Sequence, residues 1–361
     1  MMMAVTIASI EVLQGCGGAV VATNSPPPVV TPADVYVAGY EMNASNVKVA
    51  MVWKNGVGTA LSDGIRGAYA SAVAVSGTDV YVAGVVAASV TNSDGIATVW
   101  KNGNTTSLTD GTVSAYASGI AVSGTDVYVS GGEYGPNAQN LDVDIGGYWK
   151  NGVFNLLTQE NHQDGSGQAN ISAITLNGSD VYVAGTEGIL TPGVSSNYLL
   201  GSAIYWKNGN PTILTNGLTS AAAESIVVDG SDVYVAGALC PTLYTACYNS
   251  VYWKDGSLVS LDLTTPSILS GIAVSNGVVY ASTNQDSASG NNLAEYWDGT
   301  TEKLLDNSTA AAANGIAVLG TDVYVVGAQI GGACYWKNGI LHSVTGGEYA
   351  STGYAITVVQ P

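Results

Sequence analysis

The stretch Val73-Ala-Val-Ser-Gly-Thr-Asp-Val-Tyr-Val-Ala-Gly84, followed by Trp100-Lys-Asn-Gly103, recurs in near-copies along the chain. The tyrosine of the Asp-Val-Tyr-Val motif or its variant falls at Tyr36, Tyr81, Tyr128, Tyr182, Tyr234, Tyr280 and Tyr324. All seven tryptophans belong to the same unit: Trp53, Trp100, Trp149, Trp206, Trp253, Trp297 and Trp336. The mean period is about 48 residues. Two internal distances are stricter than the period. A Val or Ile stands eight residues before six of the tyrosines, from Val73 to Ile316. An aliphatic residue stands eight after each tryptophan: Leu61, Leu108, Leu157, Leu214, Leu261, Leu305 and Val344. The Trp297 copy is one residue shorter at its turn, so Leu304 competes with Leu305 there. Fixed spacings inside a unit of variable length describe rigid hairpins joined by loops that vary.

Each unit reads as four strands. In the third unit these are Gly119–Val122, Asp126–Ser130, a strand ending at Tyr148-Trp149, and Val153–Leu157. Alternation and β-branched content make the strands, and Ser-Gly-Thr-Asp and Lys-Asn-Gly make tight turns. A lone four-stranded sheet of this kind has two raw edges and two apolar faces; a closed ring covers the faces. The expected fold is all-β: a seven-bladed β-propeller of four-stranded antiparallel blades. The first copy has Pro28 where later copies have Val or Ile, so it lacks a first strand. Tyr354-Ala-Ile-Thr-Val-Val359 has the first-strand pattern with no second strand after it. The C-terminal strand is therefore expected to pair beside Asp34–Ala38 and close the ring.

The domain reading is a leader over residues 1–16, a Pro-rich tether over 17–33, and one propeller over 34–361. The pattern resembles seven-bladed β-propellers, specifically bacterial secreted proteins and lipoproteins with Asp-Val-Tyr-Val-Ala-Gly and Tyr-Trp-Lys-Asn-Gly repeats. That resemblance implies the fold and little about activity. Leu13-Gln-Gly-Cys16 resembles the lipobox of bacterial lipoproteins, which implies lipidation at Cys16, though Glu11 and the lack of an early Lys or Arg depart from a good signal peptide. The implied address is extracytoplasmic, either held to a membrane by the lipid alone or secreted.

Net charge is −18, with nine Lys and Arg in all. Six of the nine are the lysines that follow tryptophan, so no basic patch is available for phosphates, and nucleic acid is excluded as a partner. Second-to-third connections vary in length while the other hairpin turns barely change. Alternate connections fall on opposite faces of a blade, so a variable-loop face and a plain turn face are expected, with binding on the former.

Candidate ligand-binding residues on the variable face are Glu41, Glu133 and Glu187, which share one repeat position; Tyr69 and Tyr116, in Ala-Tyr-Ala-Ser; and His162, with Glu160 and Asp164 beside it. Carboxylates bind sugar hydroxyls or cations, and tyrosines at loop tips offer stacking faces. Cys240 and Cys247 are expected to form a disulfide in an oxidising compartment. Cys334 reads as a small buried residue and His342 as an outer-strand residue. No metal site or cofactor is expected; Asp142-Val-Asp144 is a weak hint of Ca²⁺, without the ligand pattern that should follow. No catalytic triad, phosphate loop or zinc signature stands out. On that ground the sequence favours a non-enzymatic scaffold that binds a polysaccharide or a surface protein. The alternatives are a propeller glycosidase or lyase using carboxylates at the channel mouth, and a subunit of a surface layer or appendage.

Overall fold

The structure is a computed structural model that describes residues 32–136, 142–157, 168–189, 200–215, 220–240, 249–261, 263, 267–286, 292–306 and 311–361. Ala33–Pro361 forms one compact unit. It holds seven four-stranded antiparallel sheets and no α-helix among the described residues. Blade two is the plainest copy: Ala68–Ser76, Asp79–Ala87, Gly95–Lys101 and Asn104–Ser107 pair in sequence order. Blade one takes three strands from the start of the chain, Asp34–Met42, Lys48–Lys54 and Val57–Ala60. Its first strand is Ser351–Val359, which pairs along Asp34–Glu41 as the arithmetic of the copies requires.

The first strands touch one another in succession round the ring, the last of them, Ser351–Val359, reaching both Ala312–Leu319 and Ala68–Ser76. They therefore surround a central channel, and the short fourth strands form the rim. Most rim side chains are exposed, whereas Tyr81–Val86 of the second strand is buried without a break. A strand covered by a blade on each side has two apolar faces, so alternation gives way to a continuous apolar run.

The repeated aromatics hold the blades to each other. Trp100 packs in one cluster with Tyr36 of the preceding blade, and Trp149 packs likewise with Tyr81. The pairing continues through Trp206 with Tyr128, Trp253 with Tyr182, Trp297 with Tyr234 and Trp336 with Tyr280. Trp53 with Tyr324 completes it across the seam between the last blade and the first. In six blades the Val or Leu eight residues after the tryptophan follows directly on the fourth strand. Leu61, Leu108, Leu157, Leu214 and Val344 each donate a backbone hydrogen bond to a third-strand carbonyl, the first to Ala50 at 2.8 Å. In blade six Leu305 takes that place: it packs inward, while Leu304 is 52% exposed. A register shift between Ala294 and Glu295 absorbs the missing residue.

The Asp-Val-Tyr and Trp-Lys-Asn-Gly motifs meet at each turn. Asn102 adopts φ 50° and Gly103 φ 82°, the left-handed pair that a two-residue hairpin of the primed type uses. Asn102 accepts a hydrogen bond from the Val80 backbone at 2.8 Å and donates to Asp79 at 2.8 Å. Lys101 reaches the other oxygen of Asp79 at 2.8 Å and lies over the Tyr81 ring, 5.0 Å from its centre. The same Lys–Asp contact recurs as Lys54–Asp34, Lys150–Asp126, Lys207–Asp180, Lys254–Asp232 and Lys337–Asp322. Asp255 does the accepting in blade five. These knots occupy the plain turn face, and they consume six of the nine cations.

Candidate functional site at the channel mouth

Every first strand carries a β-bulge at the same place. The register slips at Ser71, Ser118, Ser172, Glu224, Ser270 and Asn314, and at Tyr354 in the closing strand. A bulge leaves one residue out of the ladder and re-aims its side chain. Here it does so near the start of each inner strand, at the variable-loop end of the channel. The glycine that ends Val-Ala-Gly on the neighbouring strand makes the bulge fit. A methyl group on Gly84 would collide with the Tyr69 carbonyl oxygen, and Gly131 and Gly237 face Tyr116 and Ala222 in the same way.

Five of the bulged side chains, Ser71, Ser118, Ser172, Glu224 and Tyr354, line a cavity of about 350 Å³. Tyr69, Tyr116 and Asn170 complete its polar wall, and Ala117 and Ile171 its apolar part. The other two bulged residues lock the ring. Ser270 donates to the Ala313 carbonyl at 2.6 Å, and Asn314 donates to the Gly353 carbonyl at 2.8 Å.

Tyr116 is held by blade four: its hydroxyl donates to the Ala169 carbonyl at 3.4 Å and accepts from the Ile171 N–H at 3.0 Å. Tyr354 packs between Tyr40, with ring centres 5.9 Å apart, and Tyr69, at 6.2 Å and edge-on. Burial, then the Tyr40 and Tyr69 phenols, push the Tyr354 hydroxyl up to about 12, so it keeps its proton and acts as a donor. Burial also raises Tyr69. Glu224 is exposed at the channel mouth, and desolvation by the surrounding wall raises its pKa. A carboxyl raised in this way holds its proton to higher pH than a free one and can give it to a bound molecule. A second cavity, about 320 Å³, lies on the turn face between blades one and two. Its Lys54 and Asn102 are already engaged in the knots.

The expected site residues are distributed as follows. Tyr69 and Tyr116 stand together in the cavity, inside strands rather than in the connector before them. Glu41, Glu133 and Glu187 lie on second strands, one strand away from the channel lining, and none of them lines the cavity. Glu133 is raised by burial first and by Asp110 second. His162, Glu160 and Asp164 fall outside the described residues, as do Cys16 and Cys247. Cys240 is buried and disulfide-bonded. Cys334 is fully buried, its thiol pushed up to about 12 by burial. His342 is exposed on the fourth strand of blade seven, stacked on Tyr335. Among the described residues no three His, Cys, Asp or Glu side chains gather as a metal site.

Glu224, Tyr354 and Tyr40 were not singled out in the sequence. A signal for the first two existed. The residue two before each aliphatic anchor is Ser, Asn, Glu or Tyr, and Glu224 is the one charged member of that column.

No protein-family model and no curated protein sequence matches the chain. Solved structures do. An acylaminoacyl peptidase of Pyrococcus horikoshii is similar over 87% of this chain and 51% of its own, at 12% identity and a TM-score of 0.53. A study of two prolyl endopeptidases provides a match over 91% of this chain and 50% of its partner, at 12% identity and a TM-score of 0.48. The periplasmic gluconolactonase of Pseudomonas aeruginosa matches over 91% and 99%, at 11% identity and a TM-score of 0.41. This chain spans about half the length of the two peptidase chains. At such identities the likeness is one of fold.

The acylaminoacyl peptidase is an enzyme, so this fold gives no ground for reading the chain as a non-catalytic scaffold. That reading rested on the lack of a catalytic set in the linear sequence. The ring brings polar groups together from residues far apart in the chain: Tyr69, Tyr116, Glu224 and Tyr354 come from four blades.

Proposed function

We propose that this protein is an extracytoplasmic propeller glycosidase, with its reaction centre at the channel mouth and Glu224 as proton donor. The observation that carries this is the cavity that joins a carboxyl of raised pKa to three tyrosine rings. Tyrosine faces pack against the C–H faces of a sugar, and hydroxyls and an amide meet its hydroxyl groups. Glu224 gives its proton to the glycosidic oxygen as the bond to the anomeric carbon breaks, and water supplies the hydroxyl and returns a proton. Glu41, Glu133 and Glu187, one strand away from the lining, are proposed as outer carboxylates that accept hydrogen bonds from sugar beyond the cavity.

The disulfide at Cys240 supports an oxidising compartment. With the lipobox-like Leu13–Cys16, it supports a lipid-anchored, bacterial-type surface or periplasmic location. The test is release of reducing ends from a panel of polysaccharides by the purified chain. Glu224→Gln is expected to lower the rate by ~10²–10⁴-fold with an unchanged melting temperature. Wild-type rates in that variant would overturn the assignment.

A further inference from the structure

We infer that the substrate is a neutral glycan, uncharged where it meets the cavity, and not a uronate or a sialylated chain. The inference rests on the glycosidase reading and adds the substrate class to it. Its basis is a complete account of the cations. The chain has nine Lys and Arg, and all nine fall on described residues, so no undescribed segment can supply another. Six are bound to aspartates in the knots of the turn face. Lys303 is paired with Asp298 at 3.2 Å. Arg66 donates to the Ala87 and Ala88 carbonyls. Lys48 lies over the Tyr40 ring, 4.5 Å from its centre, and is not among the residues that line the cavity.

No Lys or Arg therefore lines the cavity. Among the described residues, one carboxyl, one amide and six hydroxyls line it, the hydroxyls on Tyr69, Tyr116, Tyr354 and three serines. Recognition of a sugar carboxylate calls for a guanidinium or ammonium that can pair with it. A sugar carboxylate would find no cation to pair with beside the proton-bearing Glu224, and the field of a chain with net charge −18 repels it at a distance. The same arrangement disfavours elimination chemistry, whose uronate substrates bring their own carboxylate to the reacting carbon. Neutral hydroxyls, by contrast, find both donors and acceptors on this wall.

The experiment is calorimetric titration of the Glu224→Gln chain, which binds without turnover, against neutral oligosaccharides and uronate oligosaccharides matched in length and linkage. Neutral chains are expected to bind at least ~10-fold tighter, with the gap narrowing as salt screens the repulsion. Ser172→Arg, which places a cation in the wall, is expected to shrink or reverse the preference. Equal or tighter binding of the uronates by the unmodified wall, or binding of neither class, overturns the inference. Neutral binding by a wild-type chain that releases no reducing ends would instead retire the glycosidase reading and leave the charge selectivity standing.

Discussion

At Thr283 the repeat breaks its own rule. The other blades have glycine at this place, where the bulged strand's carbonyl comes close, as Gly84 does against Tyr69. Blade six carries a threonine, fully buried, whose hydroxyl has no hydrogen-bond partner. A buried hydroxyl without a partner costs ~1–3 kcal/mol. Thr283→Val keeps the shape and is expected to raise stability by ~1 kcal/mol, read from the urea midpoint. Gly84→Ala is expected to do the opposite, costing ~1–3 kcal/mol as the strand pair shifts apart. Beside Thr283, across the ladder, sits Glu295, pushed up to about 7 by burial first and by Glu302 second. A raised carboxyl binds its proton more tightly in the folded chain than in the unfolded one. Its contribution therefore weakens stability as pH climbs from about 4.5 to about 7, and is level above that. Glu295→Gln is expected to flatten this slope in melting curves taken across that range; a slope unchanged in the variant would place its origin elsewhere.

The strand hairpin is the scale at which the sequence was most legible. Asp-Val-Tyr and Trp-Lys-Asn-Gly are far apart in a copy, but they meet at one turn, so their joint recurrence marked the hairpin ends well. The purpose of each residue was less legible. The lysines read as turn residues, and their grip on the aspartates appears only once second and third strands are paired. Those aspartates are held below the usual carboxylate range, by the lysine and asparagine contacts first. Such groups stabilise the fold above their unfolded pKa and lose that contribution as pH falls through the folded one, so acid is expected to loosen six hairpins together. The tryptophans give the sharper test. Trp100 is 1% exposed against Tyr36 of the next sheet, whereas Trp297 is only half-buried. Trp100→Ala should cost ~3–5 kcal/mol, and Trp297→Ala clearly less; equal losses would contradict the idea that these rings are the main joints between blades. The bulges, in contrast, left only a faint trace. A one-residue slip changes no spacing within a strand, so Tyr69 and Tyr116 read as connector residues and Glu224 as one more polar residue among alanines.

At the scale of the whole ring, the site exists because the ends meet. Tyr354 belongs to the closing strand, yet it stands in the cavity against Tyr69 of blade two. Closure thus both covers the raw edge of Asp34–Met42 and delivers a wall of the site. Removing residues 351–361 strips the edge of its partner and withdraws Ile356 and Val358 from the cluster that seats Trp53. Unpaired backbone groups and bare apolar faces on blade one then open the ring at a single seam. The truncated chain is expected to melt well below the intact one and in a broader transition, followed by tryptophan fluorescence in urea. Moving the same segment ahead of Ala33, with a linker long enough for it to turn back antiparallel to Asp34–Met42, restores all four strands of blade one from contiguous chain. It gives up only the link between the two ends. Recovery of most of the lost stability by that permuted chain would show that the missing strand, and not the covalent order, sets the ring. A truncated chain with the intact midpoint would mean that six complete blades and a three-stranded seventh hold together without it.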